Sequence, residues 1–242
     1  MNKALTITFI MFLTLSSCEK SKELSYLKFE QQVFYELFPK LIDKVYRDKR
    51  LTPQPPPSPE MLKKKGFGLE KGYNNAYKNW KTSDDYIDTQ VLWEKYKDSI
   101  NKDTTLIYVA IPDSISQFEE GDLIILKNHF KNERLLINSS IVDSKSGFKI
   151  DLNKLKTNQK TLKFKYISEF PKGNAFWYTD YDFYLSGSLG FSRILFDQTK
   201  SFGVLNVGFM HGNLNGSGCR IFIKKDETGK WIIDKIIGTW VS

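Results

Sequence analysis

Residues 160–242 have the pattern of an antiparallel β-sheet, and this pattern restricts the fold more than any other feature of the sequence. Apolar residues alternate with lysines from Leu162 to Tyr166, as expected for a strand with one buried face. Residues 189–196 are apolar on both faces except for Ser192 and Arg193, as in a central strand. We therefore predict one continuous antiparallel meander that begins at about residue 160.

Residues 175–185 are predicted to be a strand of this meander with an acidic and aromatic outer face. The alternation places Asp180 and Asp182 on that face, flanked by Tyr178 and Tyr184. Acidic residues between aromatic rings are typical of carbohydrate-binding surfaces, and side chains two positions apart on a strand lie ~7 Å apart, a separation that glycosidase carboxyls also use. Because any exposed strand gives this spacing, we treat the four residues as candidates for a binding surface only.

The preceding part of the chain is predicted to be mainly helical. Apolar residues recur at helical spacing over residues 24–50, and Pro39 interrupts them, which predicts a kinked helix or two short ones. Residues 51–59 hold five of the eight prolines and must be extended, either as a surface strap or as a ligand for an SH3-like partner. Residues 60–242 are expected to form the globular domain, which includes a strand over 104–111. The predicted class is α+β, with N-terminal helices packed on a curved antiparallel C-terminal sheet.

The N-terminus has the features of an export signal. Lys3 precedes an uncharged apolar run over residues 4–15. At ~1.5 Å per residue, a helix over this run is much shorter than the ~30 Å hydrocarbon core, so it is typical of a signal peptide and not of a membrane span.

The residues that end this run resemble the lipobox of bacterial lipoproteins. They are Leu15-Ser16-Ser17-Cys18, and the resemblance implies that residues 1–17 are removed and that Cys18 is acylated. Residues 18–23 would then form a lipidated tether. Glu19 stands where the Gram-negative pattern places Asp for inner-membrane retention, so we expect a membrane anchor at Cys18 in the outer membrane. The sequence leaves open whether the protein faces the periplasm or the cell surface.

A second resemblance covers about the last quarter of the chain. Its motifs are Leu189-Gly190-Phe191-Ser192-Arg193, the glycines at 216 and 218, Gly229-Lys230-Trp231 and Trp240-Val241-Ser242. Together with the proline segment, they resemble a group of uncharacterised Gram-negative lipoproteins and secreted proteins that share a C-terminal sheet. This resemblance implies the anchor and the fold type, and it implies no activity.

Composition argues against several classes of function. Only five of the 36 basic residues are arginines and the lysines are scattered, whereas nucleic-acid-binding proteins cluster basic residues and depend on arginine. We therefore expect no nucleic-acid partner. Two histidines and two cysteines without a spacing motif argue against a metal centre, and we predict no cofactor.

We also predict no catalytic residues. Ser192 lies in a partial nucleophile-elbow motif, but Ile194 replaces its second glycine; Asp197 and His211 follow in the order of a triad.

Arg193 is expected to pair with Asp182 or Asp197 across the sheet and His211 to lie at the rim of the domain, and both are kept as candidates for a binding surface. Cys219 is expected to be a buried small apolar residue.

The function predicted from these features is that of a lipid-anchored envelope protein that binds a protein or a glycan without catalysis. A different hypothesis is an envelope hydrolase that acts on a glycan or an ester. A third is an immunity or inhibitor protein that neutralises a secreted toxin.

Overall fold

The computed structural model describes residues 2–115, 117–133, 135–136 and 147–242, with side chains from Leu24 onward. The chain divides into two compact units. The larger unit consists of Met1–Tyr46 and Leu106–Ser242, and the smaller unit is the insertion Arg47–Thr105.

The long first helix continues through its proline. Of the two predicted forms, the structure has the single helix, with Pro39 inside it. Proline costs a helix interior ~3 kcal/mol. Four consecutive core positions of this helix, Phe34, Leu37, Phe38 and Leu41, are fully buried, and each contributes ~1.5–3 kcal/mol, so packing outweighs the cost of the proline. The α-helices of the described residues are α1 (Asn2–Val45), α2 (Pro59–Lys64), α3 (Tyr73–Trp80), α4 (Asp84–Lys102), α5 (Asp122–His129) and α6 (Ala175–Tyr178).

No helix within the described ranges is both long enough and apolar enough to cross a membrane.

The strands confirm the α+β class, with a large open sheet that follows the N-terminal helix. Within the described residues, seven strands form one sheet in the order β4-β1-β5-β7-β8-β9, with β6 paired to β7, while β2 and β3 pair separately. The strands are β1 (Ile107–Ile111), β2 (Ser114–Ile115), β3 (Phe148–Lys149), β4 (Leu162–Tyr166), β5 (Tyr184–Phe191), β6 (Leu195–Phe196), β7 (Phe202–Gly212), β8 (Asn215–Lys225) and β9 (Trp231–Val241).

The prediction of one antiparallel meander from residue 160 is wrong at its start. β1 lies between β4 and β5 and pairs in parallel with both. Antiparallel order begins with β5 and continues through β7, β8 and β9. Ile107, Val109, Ala110 and Ile111 are all buried, so β1 is covered on both faces and takes an interior position, as is typical of strands in parallel pairing.

The predicted strand over residues 175–185 is also wrong in its first half. Ala175–Tyr178 is the short helix α6, and the strand begins only at Tyr184. Phe176 packs in a small aromatic cluster with Phe170, and the Tyr181 hydroxyl donates to the Phe176 carbonyl. Packing of these aromatic rings, which lie close together in the sequence, outweighs the alternating pattern.

Two apolar clusters cover opposite faces of the antiparallel strands. α1 packs against Leu205 and Val207 of β7 and their neighbours on β8. α5 packs against Val204 of β7 and Phe222 of β8. Because successive side chains of a strand point to opposite faces, the two helices lie on opposite sides of this part of the sheet.

The smaller unit has its own apolar cluster, built around Leu62, Ala76 and Trp80. The proline segment belongs to this unit: Pro57 is buried, and its carbonyl accepts a hydrogen bond from the Tyr73 hydroxyl at 3.1 Å.

Candidate functional site

The four residues predicted to share an acidic and aromatic surface do not share one strand face. Tyr178 ends α6 and is 75% exposed. Asp180 and Asp182 are exposed in the segment before β5, and only Tyr184, which is partly buried against the main core, lies in the strand. The alternation that grouped these residues stops where α6 replaces the strand.

Arg193 is buried, and its partner is neither Asp182 nor Asp197. Its Nε and Nη2 donate to Glu30 Oε2 of α1 at 3.1 and 2.8 Å, and the backbone N–H of Ile194 donates to Glu30 Oε1 at 2.7 Å. Both side chains are at most 1% exposed. Arg193 therefore joins α1 to the sheet and is removed from any binding surface.

The residues of the partial triad have separate partners. Ser192 Oγ donates to the Arg193 carbonyl at 2.9 Å and accepts from the Asn206 N–H at 2.8 Å. Asp197 is buried and accepts from the N–H groups of Ser201 and Phe202, so it holds the turn before β7. The hydrogen bonds of Ser192 are those of a contact between strands, and the hydrogen bonds of Asp197 are those of a turn.

His211 lies near the end of β7, where the pairing with β8 shifts register. Its ring and that of Phe209 are in a T-shaped contact, and its Nδ1 is buried without a hydrogen-bond partner among the described residues. Cys219, also in the larger unit, packs at the margin of the main core, and burial raises the pKa of its thiol. A raised pKa disfavours the nucleophilic thiolate.

Sequence reasoning missed an ionic cluster that joins α5 to β9. His129 Nε2 lies 2.7 Å from Asp234 Oδ2, and Lys224 Nζ lies 2.6 Å from Asp234 Oδ1. Burial acts to raise the pKa of Asp234, but the hydrogen bonds from Lys224 and His129 outweigh it and lower that pKa. The His129 ring also stacks on Phe222 of β8, with 3.8 Å between the ring centroids. The cluster therefore holds α5 against β8 and β9.

Asp122, at the start of α5, is a second missed group. It is fully buried, and burial raises its pKa to about 6, although Asn206 Nδ2 donates to it at 3.1 Å and the Glu119 N–H at 3.2 Å. Arg220 Nε lies 3.6 Å away and, among the described residues, has no hydrogen-bond partner. The Asp122 carboxylate is therefore close to Arg220 but leaves its Nε without a hydrogen bond.

The far half of β9 is an exposed apolar surface of the sheet. β9 pairs only with β8 and is the last strand of the sheet order, so its outer edge is open within the described residues. All of its residues from 234 onward are exposed. We call the apolar members of this stretch the β9 edge surface: Ile236, Ile237, Trp240 and Val241.

Trp240 lies against the backbone at Gly208 and Gly218, two members of a row of paired glycines. Gly190, Gly208 and Gly218 are successive partners across β5, β7 and β8, and Gly218 pairs with Trp240. A Cβ added to Gly218 would lie 2.0 Å from the indole Nε1, and one added to Gly208 would lie 3.1 Å from the indole Cζ2. Since both ends of the ring system lie at contact distance from the sheet, the indole rests on it and presents its other face outward, with 43% of the residue exposed.

The β9 edge surface had a signal in the sequence, namely Gly216 and Gly218 at alternate positions of one predicted strand, followed by Trp240 in the next. Glycine at such positions indicates that another group approaches the backbone closely. Only the register between the strands shows that the group approaching the backbone is the Trp240 indole.

Among the described residues, no group of three or more histidine, cysteine, aspartate or glutamate side chains is arranged to hold a metal ion. Cys18 lies in α1 before Leu24, outside the residues whose side chains the structure describes.

No protein-family model, curated protein or solved structure matches this chain.

Proposed function

We propose that this protein is a lipid-anchored protein of the cell envelope that binds a protein partner through the β9 edge surface, without catalysis. The anchor rests on the Leu15 to Cys18 pattern and the short apolar run before it. In a bacterium with two membranes, Glu19 favours the outer membrane.

One observation carries the binding proposal: a long edge strand that exposes apolar side chains on both of its faces. Ile237 and Trp240 pair with Arg220 and Gly218, on the α5 side of the sheet, whereas Ile236 pairs with the core residue Ile221 on the other side. Edge strands of monomeric proteins are normally short, charged or covered, because unpaired N–H and C=O groups recruit other strands. An apolar edge of this length fits an added strand from a partner, with side chains that cover both faces.

The partner that fits is an extended peptide segment with alternating apolar residues. Main-chain hydrogen bonds would supply affinity, and the contacts of alternate side chains with Trp240 and Val241 would supply specificity.

Site-specific photocrosslinking in intact cells tests this proposal. A photoreactive residue at Ile236 and, separately, at Val241 of the full chain should give one and the same adduct, because an added strand spans both positions. The matched control carries the photoreactive residue at Lys172, which is exposed and lies outside the β9 edge surface. Absence of an adduct at both positions, or an adduct of twice the chain's mass, would contradict binding of a separate protein partner.

A second candidate function, glycan binding, is favoured by the outward face of Trp240. Flat aromatic rings stack on sugar rings, and the Arg220 guanidinium, two residues from Gly218 along β8, can donate to hydroxyl groups. Val241→Lys distinguishes the two functions, because it should abolish strand addition and leave an oligosaccharide stacked on Trp240 in place. Trp240→Ala should abolish both. An oligosaccharide array probed with the parent and these two variants measures the difference.

A further inference from the structure

A basic cavity opens beside the first turns of α1 whose side chains are described. It has a volume of about 510 Å³ and is open to solvent. Its lining combines apolar, neutral polar and basic side chains: Leu24, Phe29, Ser25, Gln32, Lys28 and Lys200. Leu24 is 54% exposed although it is apolar.

Two lysines from distant parts of the chain converge on the Phe29 ring. Lys200 Nζ lies 4.4 Å from the ring centroid and Lys225 Nζ lies 6.0 Å from it. Lys28 directly precedes Phe29 in the sequence and is exposed. We call Lys28, Lys200 and Lys225 the basic end surface.

The turn that presents Lys200 is held in place by buried groups. Lys200 has a positive φ of 55°, which is unfavourable for a residue with a side chain. Asp197 is buried and accepts from the backbone N–H groups of Thr199 and Ser201, on either side of Lys200. These hydrogen bonds thus stabilise the unfavourable φ of Lys200 and position its ammonium group.

No carboxylate of the described residues forms an ion pair with these three lysines. The nearest acidic residue on α1, Glu30, is buried and bonded to Arg193. Asp226, next to Lys225, accepts hydrogen bonds from Thr228 and Lys230 in the hairpin turn. The positive charge of the surface is therefore available to an external anion.

The position of this surface along the chain indicates which anion it meets. Leu24 follows Cys18 by six residues of the helix α1, a rise of ~9 Å. Residues 19–23 contain two lysines and two glutamates, so the segment that follows the proposed lipid is itself neutral. If acyl chains at Cys18 enter the bilayer, the basic end surface lies at the depth of the phospholipid headgroups.

We propose that the basic end surface binds the anionic headgroups of the membrane that holds the protein, with Leu24 and Phe29 against the interface. Lysine side chains extend along apolar surface and place their ammonium groups among phosphates. The inference rests on the proposed anchor for the orientation of the protein.

Cosedimentation of the full chain with lipid vesicles tests the inference. The protein carries Cys18→Ser, so that binding does not depend on acylation, and the probes are vesicles of phosphatidylcholine alone and of phosphatidylcholine mixed with phosphatidylglycerol. Lys28→Gln, Lys200→Gln and Lys225→Gln together should weaken binding to the phosphatidylglycerol vesicles by on the order of 100-fold, about fivefold per lysine. Binding to phosphatidylcholine should be unchanged, and the circular dichroism spectrum of the variant reports whether it is folded.

The matched control replaces Lys95, Lys156 and Lys172 by Gln, which removes the same charge from exposed positions outside this surface. An equal loss in the control would show that net charge, and not this surface, determines binding, and would overturn the proposal. Displacement by inorganic phosphate, but not by chloride at equal ionic strength, would instead indicate a site for free phosphate and would also overturn it. Failure of the anchor itself is measured separately, by fatty-acid labelling at Cys18.

Discussion

At the scale of single residues, the Glu30–Arg193 pair determines how α1 is fixed to the sheet. Both groups are buried, so removal of one leaves an uncompensated charge inside the protein. We expect Arg193→Met to lower the free energy of unfolding by about 3–5 kcal/mol, as measured by urea denaturation. Adding Glu30→Gln should recover much of this loss, because the amide oxygen still accepts from the Ile194 N–H. Simple additivity of the two single losses would contradict the pairing.

A second prediction at this scale concerns Asp122 and the dependence of the unfolding free energy on pH. Its folded-state pKa of about 6 exceeds the ordinary value of 3.8, so the folded protein holds this proton more tightly than the unfolded chain does. The group's contribution to stability is therefore fully present below about pH 4 and is lost as the pH rises to about 6, a difference of up to about 3 kcal/mol.

The Asp122→Asn variant checks this sign. The difference in unfolding free energy between parent and variant should change across pH 4–6 in the direction that favours the variant at the higher pH. A difference that stays constant from pH 4 to pH 7 would show that Asp122 titrates normally.

At the scale of elements, the contact between β8 and β9 depends on the absence of a side chain at Gly218. An alanine Cβ there would lie 2.0 Å from Trp240 Nε1, so the indole must leave its place on the sheet. We expect Gly218→Ala to lower the free energy of unfolding by about 1–3 kcal/mol and to increase quenching of Trp240 fluorescence by acrylamide. Trp240→Phe identifies the signal of this tryptophan.

Gly190→Ala is the matched control for that variant. Gly190 lies in the same row of glycines, but an added Cβ meets no atom within 4 Å. Stability and quenching should stay close to the parent values. Equal effects of the two substitutions would mean that loss of glycine flexibility, and not displacement of the indole, is responsible.

At the scale of the whole molecule, the proposed anchor decides where the protein operates. Metabolic labelling with a radioactive fatty acid should mark the protein in cells, because acyl groups are expected on the Cys18 thiol and on the amine exposed by cleavage before it. Cys18→Ser should abolish the label and release the protein from the membrane fraction. The Cys219→Ser protein is the control and should remain labelled, since that thiol lies in the sheet. A labelled Cys18→Ser protein would rule out acylation at this cysteine.

Much of the sheet was predictable from local sequence, while most of the candidate site was not. Residues Leu162 to Tyr166 and the strands after residue 189 have patterns of apolar residues that strand geometry alone explains. Arg193 was recognised as a residue that needs an acidic partner, but Glu30 lies 163 positions earlier and no local pattern connects the two. The contact of Trp240 with Gly208 and Gly218 likewise requires the register of three strands, β7, β8 and β9.

The sequence by itself therefore determined the α+β class, the helical start and the strand content of the second half, because these depend on the periodicity of apolar residues within short segments. Only the tertiary structure decided that β1 lies between β4 and β5, that residues 175–178 form a helix and that Glu30 pairs with Arg193. Such features depend on contacts between distant segments, where burial of a strand on both faces or of a charged pair outweighs local preference. The open edge of β9 belongs to the same group, since a strand is an edge only when its neighbours in the sheet are known.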